Sequence, residues 1–184
     1  MKRVMDLTLS LFALLLLSPV MLATAVAVAL ESGLPVLFVQ RRVGRGGREF
    51  GMLKFRSMVK DAAAIGPYHT SNADPRITRV GRIIRRASLD ELPQLLNVLR
   101  GDMSLVGPRP DVPAQRVNYS DAQWAERCSV RPGITGLAQC ILRSQATAQQ
   151  RLDLDLRYVR EAGVWTDLKI MALTARTLVG DRSN

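Results

Sequence analysis

The hydrophobic pattern of the chain begins with an uninterrupted apolar run near the N terminus. Residues 7–30 form a stretch of 24 residues without one charged side chain. A straight helix of that length is about 36 Å long, enough to cross a hydrocarbon core of roughly 30 Å. Three structures remain open on this pattern: a cleaved signal peptide, a spanning helix, and a re-entrant helix that leaves the membrane by the face it entered.

Ser18 and Pro19 divide the apolar run near its middle. Proline has no backbone N–H to donate and clashes with the preceding turn, so a kink is predicted here. The Ser18 hydroxyl can satisfy the carbonyl that Pro19 leaves without a donor. Lys2 and Arg3 precede the run and several arginines follow it. Since basic flanks favour the cytoplasm, the more basic C-terminal body is expected on that side.

Two short β-like runs follow the apolar segment, at residues 36–40 and 50–55, and a glycine-rich stretch, RRVGRGG, lies between them. This pattern predicts a β-hairpin with a glycine-rich turn. The glycines do not fit a Walker phosphate-binding loop, because the GxxxxGK[ST] pattern is missing. We therefore interpret them as turn residues.

The stretch RITRVGRIIRR, residues 76–86, predicts an amphipathic helix. Arginines recur at three-residue intervals along one edge, and apolar side chains occupy the other side. The arginines are Arg76, Arg79, Arg82 and Arg85, and the apolar residues are Ile77, Val80 and Ile84. The basic edge is either a solvated face or a contact with anionic lipid headgroups, which contributes about 1 kcal/mol per residue.

Two adjacent acids, Asp90 and Glu91, follow this helix in the sequence SLDELPQLL. Ser88 and Glu91 fit a capping box, which would give the acids a purely structural role at a helix start. The helix dipole would keep both carboxylates ionised there, and the same helix end attracts phosphate. Gly101 is the predicted end of this helix.

Two proline-containing loops each hold an arginine. Pro108 and Pro110 flank Arg109 and predict an extended loop of low entropy, suited to a two-pronged guanidinium contact with phosphate. Pro132-Gly133 fits a type II turn directly after Arg131.

The C-terminal part predicts two helices that are separated at Gly163. The second carries an apolar stripe that faces either the core or the membrane interface. The stripe consists of Trp165, Leu168, Met171, Ala172 and Ala175. Cys128 and Cys140 lack metal-site spacing and are interpreted as small buried or half-buried residues, and His69 as a loop residue.

Composition narrows the class of partner. The chain has 184 residues with 26 Lys and Arg against 16 Asp and Glu, a net charge of +10, which predicts an anionic partner. Nucleic acid is not expected, because aromatic residues make up only 5% and no nucleic-acid-binding motif is present. The predicted fold class is α+β and mainly helical, with an N-terminal membrane helix, a small β-hairpin and amphipathic interfacial helices. Residues 1–32 form the membrane-associated unit and residues 33–184 the cytoplasmic domain.

The motifs KFRSM, RITRVGRIIRRASLDELPQLLNVLRGDMSLVGPRP and RPGITGLAQ, in this order after an apolar segment with Ser-Pro, resemble the bacterial sugar transferases, the monotopic phosphoglycosyl transferases. The resemblance covers nearly the whole chain and is closest to the minimal catalytic form of that family. It implies transfer of sugar-1-phosphate from a UDP-sugar to polyprenyl (undecaprenyl) phosphate, with release of UMP. It also implies a re-entrant helix at Ser18-Pro19, a requirement for magnesium (Mg²⁺), and the inner membrane of a bacterium as location, with the catalytic domain facing the cytoplasm.

The resemblance assigns the catalytic dyad to Asp90 and Glu91. A carboxylate can attack phosphorus to give an aspartyl phospho-sugar intermediate, and Mg²⁺ accepts one or two carboxylates with phosphate oxygens. Asp90 is the expected nucleophile and Glu91 the main metal ligand. The expected phosphate-binding cations are Lys54, Arg85, Arg109 and Arg131, whereas Asp155 matches an acidic family position without an assigned role.

The sequence departs from many relatives after GLAQ, where CILRSQ replaces a Val-Asn-Gly-Arg-Asn type stretch. Arg143, which the resemblance implies as a further substrate-binding residue, retains the arginine, but Leu142 and Ser144 replace glycine and asparagine. The sugar is therefore not identified, and the sequence leaves the pathway and the formation of an oligomer open. The alternative function is a non-catalytic basic scaffold of the same fold at the membrane surface.

Overall fold

The computed structural model describes residues 1–66, 74–142 and 147–180. His69 and Arg143, both singled out in the sequence, lie outside the described residues. The first element is helix α1, Lys2–Ser32, with Pro19 inside it. Among the residues that the structure describes, it is the one helix long and apolar enough to cross a membrane by length and composition. The Ser18 hydroxyl donates to the Leu15 carbonyl at 2.8 Å, the carbonyl that an N–H at position 19 would otherwise bond. The expected role of the serine is therefore confirmed.

Polar side chains fix the first turns of α1 to the rest of the chain. Arg3 donates to the carbonyl oxygens of Val98 and Leu99, at 2.6 and 3.0 Å. Asp6, which is 1% exposed, accepts a hydrogen bond from the Ser104 hydroxyl at 3.0 Å. These contacts tie the start of α1 to two elements of the body.

The last turn of α1 is bound to the same body. Glu31 accepts hydrogen bonds from the backbone N–H groups of Arg79 and Val80, both at 2.9 Å, and Arg56 donates to the Ser32 carbonyl at 2.7 Å. Both ends of the helix are therefore held by one body, whereas large apolar side chains between them are exposed. These include Leu11, Phe12, Leu15, Leu16 and Leu22.

The predicted hairpin is confirmed. Strand β1, Leu37–Val43, pairs antiparallel with strand β2, Glu49–Phe55. Gly46 and Gly47 in the connection both have positive φ, which glycine adopts without a steric penalty. Phe38 lies opposite Lys54 in the register, which places Lys54 on the strand near the open end of the hairpin.

The predicted amphipathic helix begins later than its arginine spacing indicates. After a one-turn helix α2, Ala62–Ile65, helix α3 covers Arg79–Arg86 and is capped by the Thr78 hydroxyl, which accepts from the Gly81 N–H at 2.9 Å. Arg76 lies outside α3 because the helix begins after the extended N-cap residue Thr78. The Arg76 guanidinium binds the carboxylate of Asp74, with both side chains nearly buried. The basic edge therefore has three members in the helix rather than four.

The predicted capping box before helix α4, Gln94–Arg100, is wrong. Ser88 has φ 55° and ψ 19°, and its side chain makes no cap hydrogen bond. A capping serine needs an extended backbone to turn its hydroxyl onto the helix N–H groups. Instead, a short 3₁₀ turn, Leu89–Glu91, carries the two acids into α4. The predicted helix end is confirmed, since Gly101 follows α4 with φ 94°.

The predicted type II turn at Pro132-Gly133 is also wrong. Gly133 does not have the positive φ that such a turn requires. It begins strand β4, Gly133–Thr135, which pairs in parallel with strand β3, Ser104–Val106. A Cβ on Gly133 would lie 2.0 Å from the backbone nitrogen of Gly107, so glycine is needed for close approach rather than for a turn.

The remaining helices follow a 3₁₀ segment, Pro113–Asn118. They are α5, Asp121–Arg127; α6, Leu137–Ile141; α7, Ala148–Glu161; and α8, Val164–Gly180. The predicted separation of the last two at Gly163 is confirmed. Of the apolar stripe on α8, only Met171 packs against a core cluster and the other four side chains are exposed. Cys128 is buried and Cys140 half-buried, as expected.

Three small apolar clusters position these elements. Val28, Phe55 and Ile84 join the second half of α1 to the hairpin and α3. A second cluster joins β2 to α4, and a third joins β3 to α7 and α8. The expected fold class is confirmed: the chain is mainly helical, with a small antiparallel hairpin and a long apolar N-terminal helix.

Candidate active site

A buried amide between the hairpin and α4 fixes the position of Lys54. Asn97 accepts a hydrogen bond from the Leu53 N–H at 2.9 Å and donates to the Gly51 carbonyl at 2.8 Å. These bonds hold β2 against α4, the helix that follows the 3₁₀ turn with Asp90 and Glu91. Lys54, the next residue on the strand, places its Nζ 2.8 Å from Glu91 Oε1.

Arg109 binds the same oxygen atom of Glu91. Its Nη2 donates to Oε1 at 2.8 Å, from the loop between the two prolines. Burial alone would raise the pKa of Glu91, but the positive charges of Arg109 and Lys54 outweigh burial and hold that pKa at about 2. Glu91 is therefore ionised at neutral pH.

The neighbouring carboxyl group of Asp90 has a different environment. Asp90 is 7% exposed, and burial raises its pKa, with the negative charge of Glu91 adding to the effect. The charges of Lys54 and Arg85 act in the opposite direction. The expectation that a helix dipole favours the charged form of both acids is therefore not met at Asp90. At Glu91 the charged form is favoured by Arg109 and Lys54.

Arg85 contributes a third predicted cation. It lies near the end of α3, where its Nε donates to the Ser57 hydroxyl at 2.8 Å. It lines a large, partly open cavity of about 2130 Å³ together with Lys54, Asp90, Glu91 and Arg109. The structure thus brings five of the predicted site residues to one cavity.

The cavity is lined by apolar as well as charged side chains. The apolar lining includes residues from α1, the entry to the hairpin and α3, among them Ala13, Leu17, Leu34, Leu37, Phe38 and Ile83. The cavity therefore adjoins the apolar helix α1 directly.

Sequence reasoning missed Arg42 as a residue of this site. Arg42 lines the cavity and donates through Nη1 to the Pro110 carbonyl at 2.9 Å. Burial lowers its pKa, and the nearby charge of Arg109 lowers it further. The two-residue period of a strand could have found it, because Phe38, Gln40 and Arg42 alternate along β1 and all three line the cavity.

Two predicted residues lie elsewhere. Arg131 is not part of the cavity wall, and its Nε donates to the Gly101 carbonyl at 2.8 Å, at the end of α4. Its role as a substrate ligand remains a prediction. Asp155 is buried and binds the guanidinium of Arg127 at 2.9 Å, so its carboxylate contacts another part of the protein instead of the cavity.

The charges on the cavity wall favour an anionic ligand. Among the described residues, eight lysine and arginine side chains and three carboxyl groups line the cavity, a formal surplus of five positive charges. The cations are Arg42, Lys54, Arg56, Lys60, Arg76, Arg85, Arg86 and Arg109, and the acids are Asp61, Asp90 and Glu91. Within the described ranges, no group of three or more His, Cys, Asp or Glu side chains could hold a metal ion. A pair of carboxylates nevertheless fits Mg²⁺, which is often held by one or two carboxylates while substrate phosphates supply further oxygen ligands.

Comparison with known proteins shows the family of the chain. The family model for bacterial sugar transferases matches residues 1–181. The chain is 45% identical to an undecaprenyl-phosphate glucose phosphotransferase of Komagataeibacter xylinus, over 99% of this chain and 36% of the relative. It is 44% identical to a UDP-N-acetylgalactosamine-undecaprenyl-phosphate N-acetylgalactosaminephosphotransferase of Aeromonas hydrophila, over 97% of this chain and 43% of the relative.

A third relative is more similar in length. It is a UDP-glucose:undecaprenyl-phosphate glucose-1-phosphate transferase of Caulobacter vibrioides, 45% identical over 97% of this chain and 69% of the relative. The first two relatives are much longer, and the chain spans about two fifths of their length. Since the match extends over almost every residue of the chain, the protein belongs to the bacterial sugar transferase family.

Proposed function

We propose that the protein transfers sugar-1-phosphate from a UDP-sugar to polyprenyl (undecaprenyl) phosphate, by way of a covalent phospho-sugar intermediate on Asp90, and releases UMP. The observation that carries the proposal is one cavity that holds a buried carboxyl group, an ionised partner and a surplus of positive charge, next to the apolar helix α1. The relatives, which are named for this type of transfer with glucose or N-acetylgalactosamine, support it.

The first step is a displacement at the sugar-side phosphorus of the donor. An Asp90 carboxylate oxygen forms a bond to that phosphorus, and the bond to the bridging oxygen breaks, so UMP leaves with that oxygen. Phosphoryl transfer depends mainly on positioning and charge stabilisation. Lys54, Arg85 and Arg109 supply positive charge at the cavity wall, and the charges of Lys54 and Arg85 favour the ionised, reactive form of Asp90 against the effect of burial.

The second step returns the enzyme to its starting state. A phosphate oxygen of the polyprenyl phosphate forms a bond to the same phosphorus, and the bond to Asp90 breaks, which gives the polyprenyl diphosphate sugar. The apolar lining of the cavity suits the lipid chain of this acceptor, because Leu17 and Phe38 belong to it. The donor phosphates and the acceptor phosphate then meet at the charged groups of the cavity.

Glu91 is the main candidate to hold Mg²⁺, with Asp90 beside it. A bound magnesium ion would neutralise charge on the donor diphosphate. Lys54 and Arg109 keep Glu91 ionised and fix Oε1, so the side chain is oriented before the donor enters.

We further propose that α1 is re-entrant and that the body lies on the cytoplasmic face of the bacterial inner membrane. Both ends of α1 bind one basic body, and the exposed apolar side chains lie between these ends. A spanning helix would carry one of these ends to the opposite face. An epitope tag before Lys2 should be accessible only from the cytoplasm. If this tag is accessible from the periplasm in an otherwise unchanged chain, the re-entrant helix is contradicted.

The reaction itself is tested by a panel of UDP-sugars. The full chain in detergent or nanodiscs is mixed with polyprenyl phosphate, Mg²⁺ and one UDP-sugar at a time. We expect UMP release and a lipid-linked diphosphate sugar with at least one donor. Lipid binding without turnover of any donor in the panel would favour the scaffold function instead.

A further inference from the structure

A buried arginine that belongs to no predicted site lies directly behind Arg109. Arg127, at the end of α5, is 7% exposed. Its Nη2 donates to the backbone carbonyl of Arg109 at 2.7 Å. The same guanidinium binds Asp155 on α7 at 2.9 Å and Asp111 at 2.6 Å.

The loop that carries Arg109 is held by its carbonyl groups. Two of its residues are prolines, which have no N–H to donate. The backbone of this loop is therefore fixed mainly by hydrogen bonds that its carbonyl groups accept. Each of the four successive carbonyls of residues 108–111 accepts a hydrogen bond. In chain order, the donors are the Gly133 N–H at 3.0 Å, Arg127 at 2.7 Å, Arg42 at 2.9 Å and the Val43 N–H at 2.9 Å.

Of the two side-chain donors, Arg127 is held by more contacts than Arg42. Asp111 and Asp155 bind its guanidinium from the loop itself and from α7, and the ring of Tyr119 lies 5.5 Å from its central carbon. A guanidinium presents five N–H donors in a rigid plane, so it can serve two carboxylates and one carbonyl together, which an ammonium group cannot copy.

We infer that Arg127 is a positioning residue for the phosphate site: it fixes the backbone from which the Arg109 side chain reaches the cavity. The inference rests on the proposed function, because it assigns Arg109 to the donor phosphates. Arg127 itself is not part of the cavity wall. Asp155 thereby acquires a role, since it holds Arg127 in place from α7.

The test is a double-mutant cycle on the full chain, with a UDP-sugar that the wild type accepts. The variants are Arg127→Lys, Arg109→Lys and the double variant. We expect each single change to lower kcat/KM by about 10- to 100-fold, since small misplacements of a positioning group have effects of that order. If Arg127 acts through Arg109, the kcat/KM of the double variant should lie within about twofold of that of the less active single variant.

A general structural role would give a different result. In that case the two losses multiply in the double variant, and the inference is overturned. Wild-type kcat/KM in Arg127→Lys would overturn it as well. If Arg127→Lys does not fold, Asp155→Asn replaces it in the same cycle, because this variant keeps the arginine and retains one oxygen acceptor. A wild type that turns over no donor would instead contradict the proposed function.

Arg160→Lys is the matched control. Arg160 on α7 binds Glu126 on α5 at 2.7 Å, so it joins the same two helices as Arg127 but does not contact the loop. We expect kcat/KM of this variant to remain within about twofold of the wild type, as is usual for an exposed ion pair. A loss equal to that of Arg127→Lys would show that weakened helix contact alone explains the effect.

Discussion

Arg109 and Arg127 lie next to each other in the fold, and each binds carboxylate groups, yet their surroundings differ. The Arg109 side chain is 43% exposed and lies at a cavity with a surplus of positive charge. The Arg127 side chain is 7% exposed and is bound by two acids and a carbonyl. A buried charge must be compensated by the protein itself, whereas a charge at a cavity wall remains available to a ligand. On the proposed function, the contrast separates residues that contact the donor phosphates from residues that orient them.

The same contrast applies to the acids. Glu91 is stabilised as an anion by two cations, and Asp155 is held by one buried arginine. Burial raises the pKa of Asp90 and also that of Asp155, to about 6, but Asp90 has no ion pair of comparable length among the described contacts. A carboxylate that is not neutralised by a close cation keeps its nucleophilic oxygen available. This difference supports Asp90, rather than its neighbour, as the nucleophile.

Replacement of Asp90 by asparagine should have the largest effect. We expect Asp90→Asn to lower kcat by at least about 1000-fold, because loss of a nucleophile removes the covalent step. The free energy of unfolding should not fall at neutral pH, since burial disfavours the charged form of Asp90 and the amide has nearly the same shape. Steady-state UMP release and chemical denaturation measure the two quantities. A marked loss of stability would place Asp90 among the structural acids.

Replacement of Glu91 by glutamine should have the next largest effect. Glu91→Gln removes the charge that binds Lys54 and Arg109, so we expect a loss in kcat/KM of about 100-fold or more. The Mg²⁺ concentration for half-maximal rate should rise, because one carboxylate ligand is weakened. Magnesium titrations of the wild type and the variant measure this shift. An unchanged magnesium requirement would argue against Glu91 as a metal ligand.

Replacement of Arg109 by lysine keeps the charge and tests the geometry. A two-pronged contact with phosphate needs the planar guanidinium, so we expect kcat/KM to fall by about 10- to 100-fold. The comparison of kcat/KM between Arg109→Lys and the wild type is the measurement. A rate near that of the wild type would show that Arg109 supplies only diffuse charge.

Replacement of Arg131 should have the smallest effect on catalysis. Its guanidinium binds the Gly101 carbonyl at the end of α4, outside the cavity wall. We expect Arg131→Lys to leave the KM for the donor within about threefold and to lower stability by about 1 kcal/mol, the usual contribution of one hydrogen bond. If the donor KM of Arg131→Lys rises as much as that of Arg109→Lys, Arg131 is a ligand of the donor phosphates after all.

Features that depend on local sequence were predicted well. The hairpin, the end of α4 at Gly101 and the separation at Gly163 each follow from a glycine or from β-forming residues within a few positions. The hydrogen bond from Ser18 to the Leu15 carbonyl, which Pro19 leaves without a backbone donor, follows from helix geometry alone. The pair Asp90 and Glu91 is proposed as the catalytic dyad because its motif is long and continuous in the sequence.

Features that depend on distant residues were not predicted. Arg42 contacts a carbonyl 68 positions away, and Arg127 contacts one 18 positions away, so neither leaves a local signal. Two local signals predicted the wrong conformation. Ser88 adopts a left-handed conformation in the turn before α4, and Gly133 lies in a parallel strand pair against Gly107.

The central claim is that Asp90 forms a covalent phospho-sugar intermediate. The most direct measurement mixes enzyme with UDP-sugar and Mg²⁺ in the absence of polyprenyl phosphate, followed by quantification of UMP and peptide mass spectrometry. We predict about one UMP per active site, a phospho-sugar mass on the Asp90 peptide, and loss of both signals in folded Asp90→Asn. A donor-only burst that persists in Asp90→Asn, or an adduct on another residue, would contradict the account.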